Sequence, residues 1–197
     1  SKADLIEVYH NLEGPNNNYQ LTFWDHLLRQ GYHVVGVAGI DSHDPFMGLH
    51  RLGQLVTWVY ADELSRQGIL NGLRRGSVYL SRGAVELRFR IHCDSGMAEM
   101  GKTLITDGSP VTLHVDLSGE GPFALFVLKN GLPCTYRLLP QEMSGWQKIE
   151  VVDHPHQDCY YRIEVHTVRK EIDYSGIQWR DYTTMRALSN PIWVTHS

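Results

Sequence analysis

The sequence is short of the features that settle a protein class quickly. Cysteine is scarce: Cys93, Cys134 and Cys159 are the only three in 197 residues. An odd number without C-x-x-C spacing excludes a disulfide scaffold or zinc ribbon and points to reduced thiols in a cytoplasmic setting. Long apolar runs are missing too. Stretches such as Ile192-Trp193-Val194 are far too short for a membrane-spanning helix, so no membrane partner is expected. The polar start Ser1-Lys2-Ala3-Asp4 does not read as a secretory signal. Basic excess is absent: the net charge is −4. There are 7 basic against 8 acidic residues up to Arg82, and 11 against 14 from Gly83 onward. Neither part offers the electrostatic footprint that nucleic acid requires. Ser42 and Ser189 lack a G-x-S-x-G setting, Cys134 has no base beside it, and no glycine-rich phosphate loop exists.

What is present is enough apolar residue for a core, 42% of the chain, which fits one large domain or two small ones. The first part reads as strands alternating with helices. Residues 5–9 form a β-rich run, followed by a turn-like 14–18. A helix is predicted with Thr22 as N-cap, Trp24, Leu27 and Leu28 on its apolar face and Gly31 at its end. Residues 34–40 are nearly continuously apolar, as in a strand covered on both faces. A second unit follows: strand 55–60, a helix from Ser65 to Gly76, strand 77–80. Beyond Arg82-Gly83 the pattern changes to strict alternation, as in Val85, Leu87, Phe89, Ile91 and Cys93. It recurs at 111–117 and 159–165, with further strands at 123–128, 148–152 and 192–195. Asn130-Gly131 marks a hairpin. His92, His114 and His166 fall on the polar phase, where exposure is the simple reading. The expected fold is therefore α/β plus all-β, with residues 1–83 as βα units and 84–197 as an antiparallel β-sandwich.

Asp41-Ser42-His43 directly follows strand 34–40. In α/β folds, loops after strand C-termini carry chemistry. An Asp and a His two residues apart can offer oxygen and nitrogen to one metal. Glu7, flanked by apolar residues, needs a partner; it could be a metal ligand, a group that orients a ligand or a structural hydrogen-bond acceptor, the last two being favoured. His154-Pro155-His156, near Asp158, is a lesser alternative metal site. His10, His26 and His33 are scattered.

In order, I-E-V-Y at 6–9, W-D-H-L-L at 24–28 with Gly31, and D-S-H at 41–43 resemble the closing part of a PHP (polymerase and histidinol phosphatase) domain of the CehA/McbA type. Leu73-Arg74-Arg75-Gly76, Ser81-Arg82-Gly83 and Ser189-Asn190-Pro191-Ile192 continue the likeness. The resemblance implies the last βα units of a metal-holding (β/α) barrel with an appended sandwich. Asp41 and His43 would bind zinc, manganese or iron. The metal would activate water for attack on a small-molecule phosphoester, carbamate or related ester. The family's upstream H-x-H motif and further ligands have no counterpart before Glu7, and the first methionine is Met47. The expectation is thus a C-terminal portion, inactive alone, whose partner is the missing N-terminal segment or another copy of the chain. Dimerisation, strand exchange or poor order over residues 1–60 would accompany it. The alternative is a non-catalytic binding or assembly module with a vestigial metal motif.

Overall fold

The computed structural model describes residues 4–10, 15–40, 53–143, 145–169, 180 and 183–197. The chain starts with strand β1 (Leu5–His10), helix α1 (Pro15–Arg29) and strand β2 (Val35–Gly39). β1 and β2 pair in parallel, Leu5 opposite Val35 and His10 opposite Gly39. α1 begins well before the expected cap at Thr22. Pro15 suits a first helical turn because its missing N–H is not needed there. Asn17 then uses its amide side chain to bond both the N–H and the C=O of His10, at 2.8 and 3.1 Å. Leu21, Trp24 and Leu28, spaced by three and four, form its fully buried face.

Strand β3 (Leu55–Val59), helix α2 (Arg66–Arg75) and strand β4 (Val78–Arg82) follow. Ser65 caps α2 by accepting a hydrogen bond from the Gly68 N–H, and Gly76 closes it in the left-handed conformation. The remaining strands are β5 (Glu86–Cys93), β6 (Gly96–Glu99), β7 (Thr103–Thr106), β8 (Val111–Ser118), β9 (Phe123–Lys129), β10 (Leu132–Leu139), β11 (Gln147–Asp153), β12 (Cys159–Thr167), β13 (Met185–Ser189) and β14 (Ile192–His196).

The α/β expectation fails here. The described residues are mostly antiparallel sheet, 53% strand against 15% helix, and form a β-sandwich-like fold rather than βα barrel units. β3 and β4 pair antiparallel, not parallel, despite the helix between them. They join the larger sandwich sheet, ordered β10-β9-β12-β13-β4-β3, with β14 and β7 attached through β12. Its ladder crosses residue 83, because β4 pairs with β13. A strand–helix–strand pattern reports which segments are apolar. It does not report strand direction, which the available sheet edge decides.

The second sheet, β11-β8-β5-β6, packs over one face of the first. Between them lies a large core including Leu87, Phe89, Ile91, Leu113, Val115, Phe123, Leu125, Ile163 and Val165. The opposite face of the large sheet is also covered. There Val8, Leu21, Trp24 and Leu28 meet Leu80, Tyr160, Leu188 and Trp193 in a second core. The β1–α1–β2 segment is therefore a third layer on the sandwich. Asn190 fastens it: its side chain accepts from Gly36 N–H at 2.8 Å and donates to Gly36 C=O and Val78 C=O at 2.9 and 3.1 Å. Its neighbour Ser189 accepts the Ile163 N–H at 2.8 Å. The Ser-Asn pair is thus a structural joint between β13, β12, β4 and β2.

Candidate functional site

Two places concentrate polar chemistry. The first is the C-terminal end of the β1–β2 pair. Glu7 Oε1 lies 2.9 Å from His10 Nδ1, both side chains on β1 and partly open to solvent. The carboxylate rests on Gly39 at the end of β2. A Cβ there would come within 2.1 Å of Glu7 Oε2, so any larger residue would push the carboxylate from this seat. Glu7 does have a partner, then, but a local imidazole rather than a buried network. Asn17, buried beneath, holds the His10 backbone. A carboxylate and an imidazole in contact at the end of a parallel strand pair could bind a cation or pass a proton. Asp41 and His43 lie outside the described residues.

The second is a largely buried charge network centred on β12. Arg162 Nε and Nη2 donate to Asp25 Oδ1 and Oδ2, at 2.9 and 2.6 Å. Tyr160 OH donates to Asp25 Oδ1 at 2.9 Å. Arg162 Nη1 donates to Glu164. Glu164 also accepts from Arg180 Nε at 3.0 Å and Nη2 at 2.5 Å. His166 Nε2 lies 3.2 Å from Glu164 Oε2, with Thr183 Oγ1 2.9 Å from its Nδ1 and Phe126 edge-on to its ring. Arg162, Glu164 and Tyr160 are all essentially inaccessible.

Two carboxylates face two guanidinium groups, so the cluster is neutral when His166 is neutral. Burial lowers the His166 pKa, with Glu164 opposing and both arginines assisting. Burial alone would raise Glu164; the charges of Arg180 and Arg162 outweigh it and hold the carboxyl well below its usual range. Each carboxylate oxygen has a donor, so the arrangement is a satisfied structural clamp, not an open reactive centre.

The expectation that His166 is exposed is corrected. Residues 160–166 alternate Tyr, Arg, Glu and His with Tyr161, Ile163 and Val165, a pattern that ordinarily marks a solvated face. Here Tyr160 and Arg162 meet Asp25 of α1, and Glu164 and His166 are buried against Arg180, Thr183 and Phe126. The available signal was Asp25 within the apolar face of α1: a buried carboxylate demands a cation, and an Arg-x-Glu run can supply one.

His154 and His156 are both exposed, on the turn between β11 and β12. Among the described residues no group of three or more His, Cys, Asp or Glu side chains could hold a metal ion. All three cysteines are free, Cys93 and Cys159 buried and Cys134 exposed. Burial raises the thiol of Cys159, opposite to what a nucleophile needs. No helix among the described residues is long and apolar enough to cross a membrane. No family model matches the chain, no curated protein matches it and no solved structure matches it.

Proposed function

We propose that this chain contributes to a divalent-metal-dependent hydrolase of the type its Ile-Glu-Val-Tyr, Trp-Asp-His-Leu-Leu and Asp-Ser-His motifs resemble. The supporting observation is the Glu7–His10 pair, half open to solvent at the C-terminal end of β1, with its carboxylate seated on Gly39. Two residues beyond Gly39 the chain reaches Asp41, then His43. In this reading Asp41 and His43 are ligands for zinc, manganese or iron, and Glu7 orients a ligand through hydrogen bonding. The metal, when bound, supplies a water nucleophile for a small phosphoester, carbamate or related ester.

Catalytic metal sites keep three or more protein ligands. The chain alone is therefore inactive, and a further segment or a second copy completes the site. The three thiols, none paired, support a cytoplasmic location. A second reading is a binding or assembly module. It is favoured by the Asp25–Arg162 clamp, which devotes a buried polar cluster to holding layers together.

The test is metal content after refolding with zinc, manganese or iron, with nitrophenyl phosphate and naphthyl ester hydrolysis measured alongside. The expected result is weak metal retention that Asp41→Ala and His43→Ala abolish, without turnover. Metal retention unaffected by both variants would overturn the hydrolase reading in favour of the module. Turnover by the chain alone, lost in Asp41→Ala, would overturn its inactivity.

A further inference from the structure

A cleft of about 230 Å³ lies where the third layer, α2 and the sandwich meet. Three cations line it: Arg74 and Arg75 from the last turn of α2, and Lys102 from the turn between β6 and β7. His33 forms another wall, its ring stacked on Trp193 at 4.0 Å and 8°. Among the described residues no carboxylate lines the cleft. The acids that pair with its cations stand outside it, Asp62 on Arg75 at 2.7 Å and Glu99 on Lys102 at 3.0 Å.

Arg74 is the uncommitted charge. Among the described residues it has no ion-pair or hydrogen-bond partner. Basic residues often end helices because they meet orphan carbonyls. That role is partly taken at α2: Gly76 N–H donates to Leu73 C=O at 3.0 Å and Ser77 N–H to Gly72 C=O at 3.1 Å.

The two turns that carry the cations are held unusually close. Gly76 and Gly101 both have positive φ, and a Cβ on Gly101 would fall 1.9 Å from Arg75 C=O. The Gly101 turn is itself fixed to the C-terminal segment, through Gly101 N–H to Pro191 C=O at 2.8 Å and Trp193 N–H to Lys102 C=O at 3.0 Å. Rigid backbone thus holds the end of α2 against the Lys102 turn, so that Arg74, Arg75 and Lys102 line one cleft.

We propose that this cleft binds a dianionic phosphoryl group, either inorganic phosphate or the phosphate of a small monoester. Cations approaching from α2 and from the Lys102 turn suit a tetrahedral anion better than a flat carboxylate, and guanidinium groups match phosphate oxygens in pairs. The space exceeds what the phosphoryl group needs and leaves room for a small attached body. This assignment does not depend on a metal site.

The experiment titrates the full chain with inorganic phosphate in the presence of a chelator, at ionic strength held constant with sodium chloride. Binding is read by calorimetry and by the amide resonances of Gly76, Gly101 and Lys102. Saturable binding in the millimolar range or tighter is expected. Arg74→Gln and Lys102→Gln should each weaken it about tenfold, the loss of one charge-assisted contact. Arg66→Gln, at the far end of α2, should not. Melting curves of the variants establish that each remains folded. Ribose 5-phosphate separates the two sources: tighter binding than phosphate identifies a monoester, equal binding the free ion. Absence of saturation up to about 10 mM, or parental affinity in both folded cleft variants, overturns the proposal.

Discussion

Arg162 grips both carboxylate oxygens of Asp25, at 2.9 and 2.6 Å, across 137 residues of chain. Both side chains are buried, 0% and 3% exposed. This pair joins α1 to β12 and so the third layer to the sandwich. Removing one partner strands the other charge. Asp25→Ala should therefore lower unfolding stability by about 3–5 kcal/mol, whereas replacing Asp25 by Leu and Arg162 by Met together should cost distinctly less. Urea unfolding of both single variants and the double variant measures this; additive losses would show that the pair is not coupled.

The same cluster makes the fold acid-sensitive. His166 has a folded pKa below its ordinary 6.5 because it is buried. Below 6.5 the unfolded chain takes up a proton that the folded chain resists, so stability falls as pH drops through this window. Glu164 adds to the trend lower down: its depressed pKa contributes stability that is complete above the usual carboxylate range and lost on further acidification. Around His166 the facing groups are Glu164, Arg162, Arg180 and Thr183, with the Phe126 ring. The melting temperature should decline from pH 7.5 to pH 5.5, and His166→Gln should flatten that decline. An unchanged slope in the variant would remove His166 as the cause.

Asn190 should be irreplaceable. It satisfies the N–H and C=O of Gly36 and the C=O of Val78. Asn190→Ala removes the side-chain partners of the Gly36 N–H and C=O, while Val78 C=O keeps the Asn190 backbone N–H; a loss of about 2–4 kcal/mol is expected. Asn190→Asp restores the acceptor but not the donor and should not rescue it. Limited proteolysis should show faster cutting within residues 5–40 in both variants, since β2 is what Asn190 holds.

At one end of the sandwich, Lys129, Asp153 and Tyr161 link the two sheets. Lys129 Nζ lies 2.8 Å from Asp153 Oδ2, and Tyr161 OH donates to the same oxygen at 2.5 Å. Tyr161→Phe keeps the buried ring and removes one hydrogen bond to a charge. A stability loss of about 2 kcal/mol is expected in denaturant titration. It should come with an upward shift of the Asp153 carboxyl, visible by carbon NMR. A neutral result would mean that Lys129 and the His154 N–H set Asp153 without Tyr161.

The smaller sheet of the sandwich was legible because its strands turn one face to the core and the other to solvent. Leu87, Phe89 and Ile91 point inward while Glu86, Arg88 and His92 point out, and the period of two shows this directly. Ser65 and Gly76 bound α2 by local hydrogen bonds that short sequence windows contain. The start of α1 was not legible, because Asn17 is held by His10, seven residues away, rather than by a cap within the helix. Of the site, Glu7 was visible as a carboxylate in need of a partner, but its partner His10 looked scattered.

The amino-acid sequence by itself determined the alternating strands, the Asn130-Gly131 hairpin between β9 and β10, and the caps of α2. These depend on side-chain periodicity and backbone preference over a few residues. Only the tertiary structure decided the rest: that β3 and β4 run antiparallel, that they enter the sandwich sheet, and that the polar phase of β12 is buried. Direction and burial are settled by which distant face is left to cover. No window of chain holds that information when Asp25 meets Arg162 and Asn190 meets Gly36.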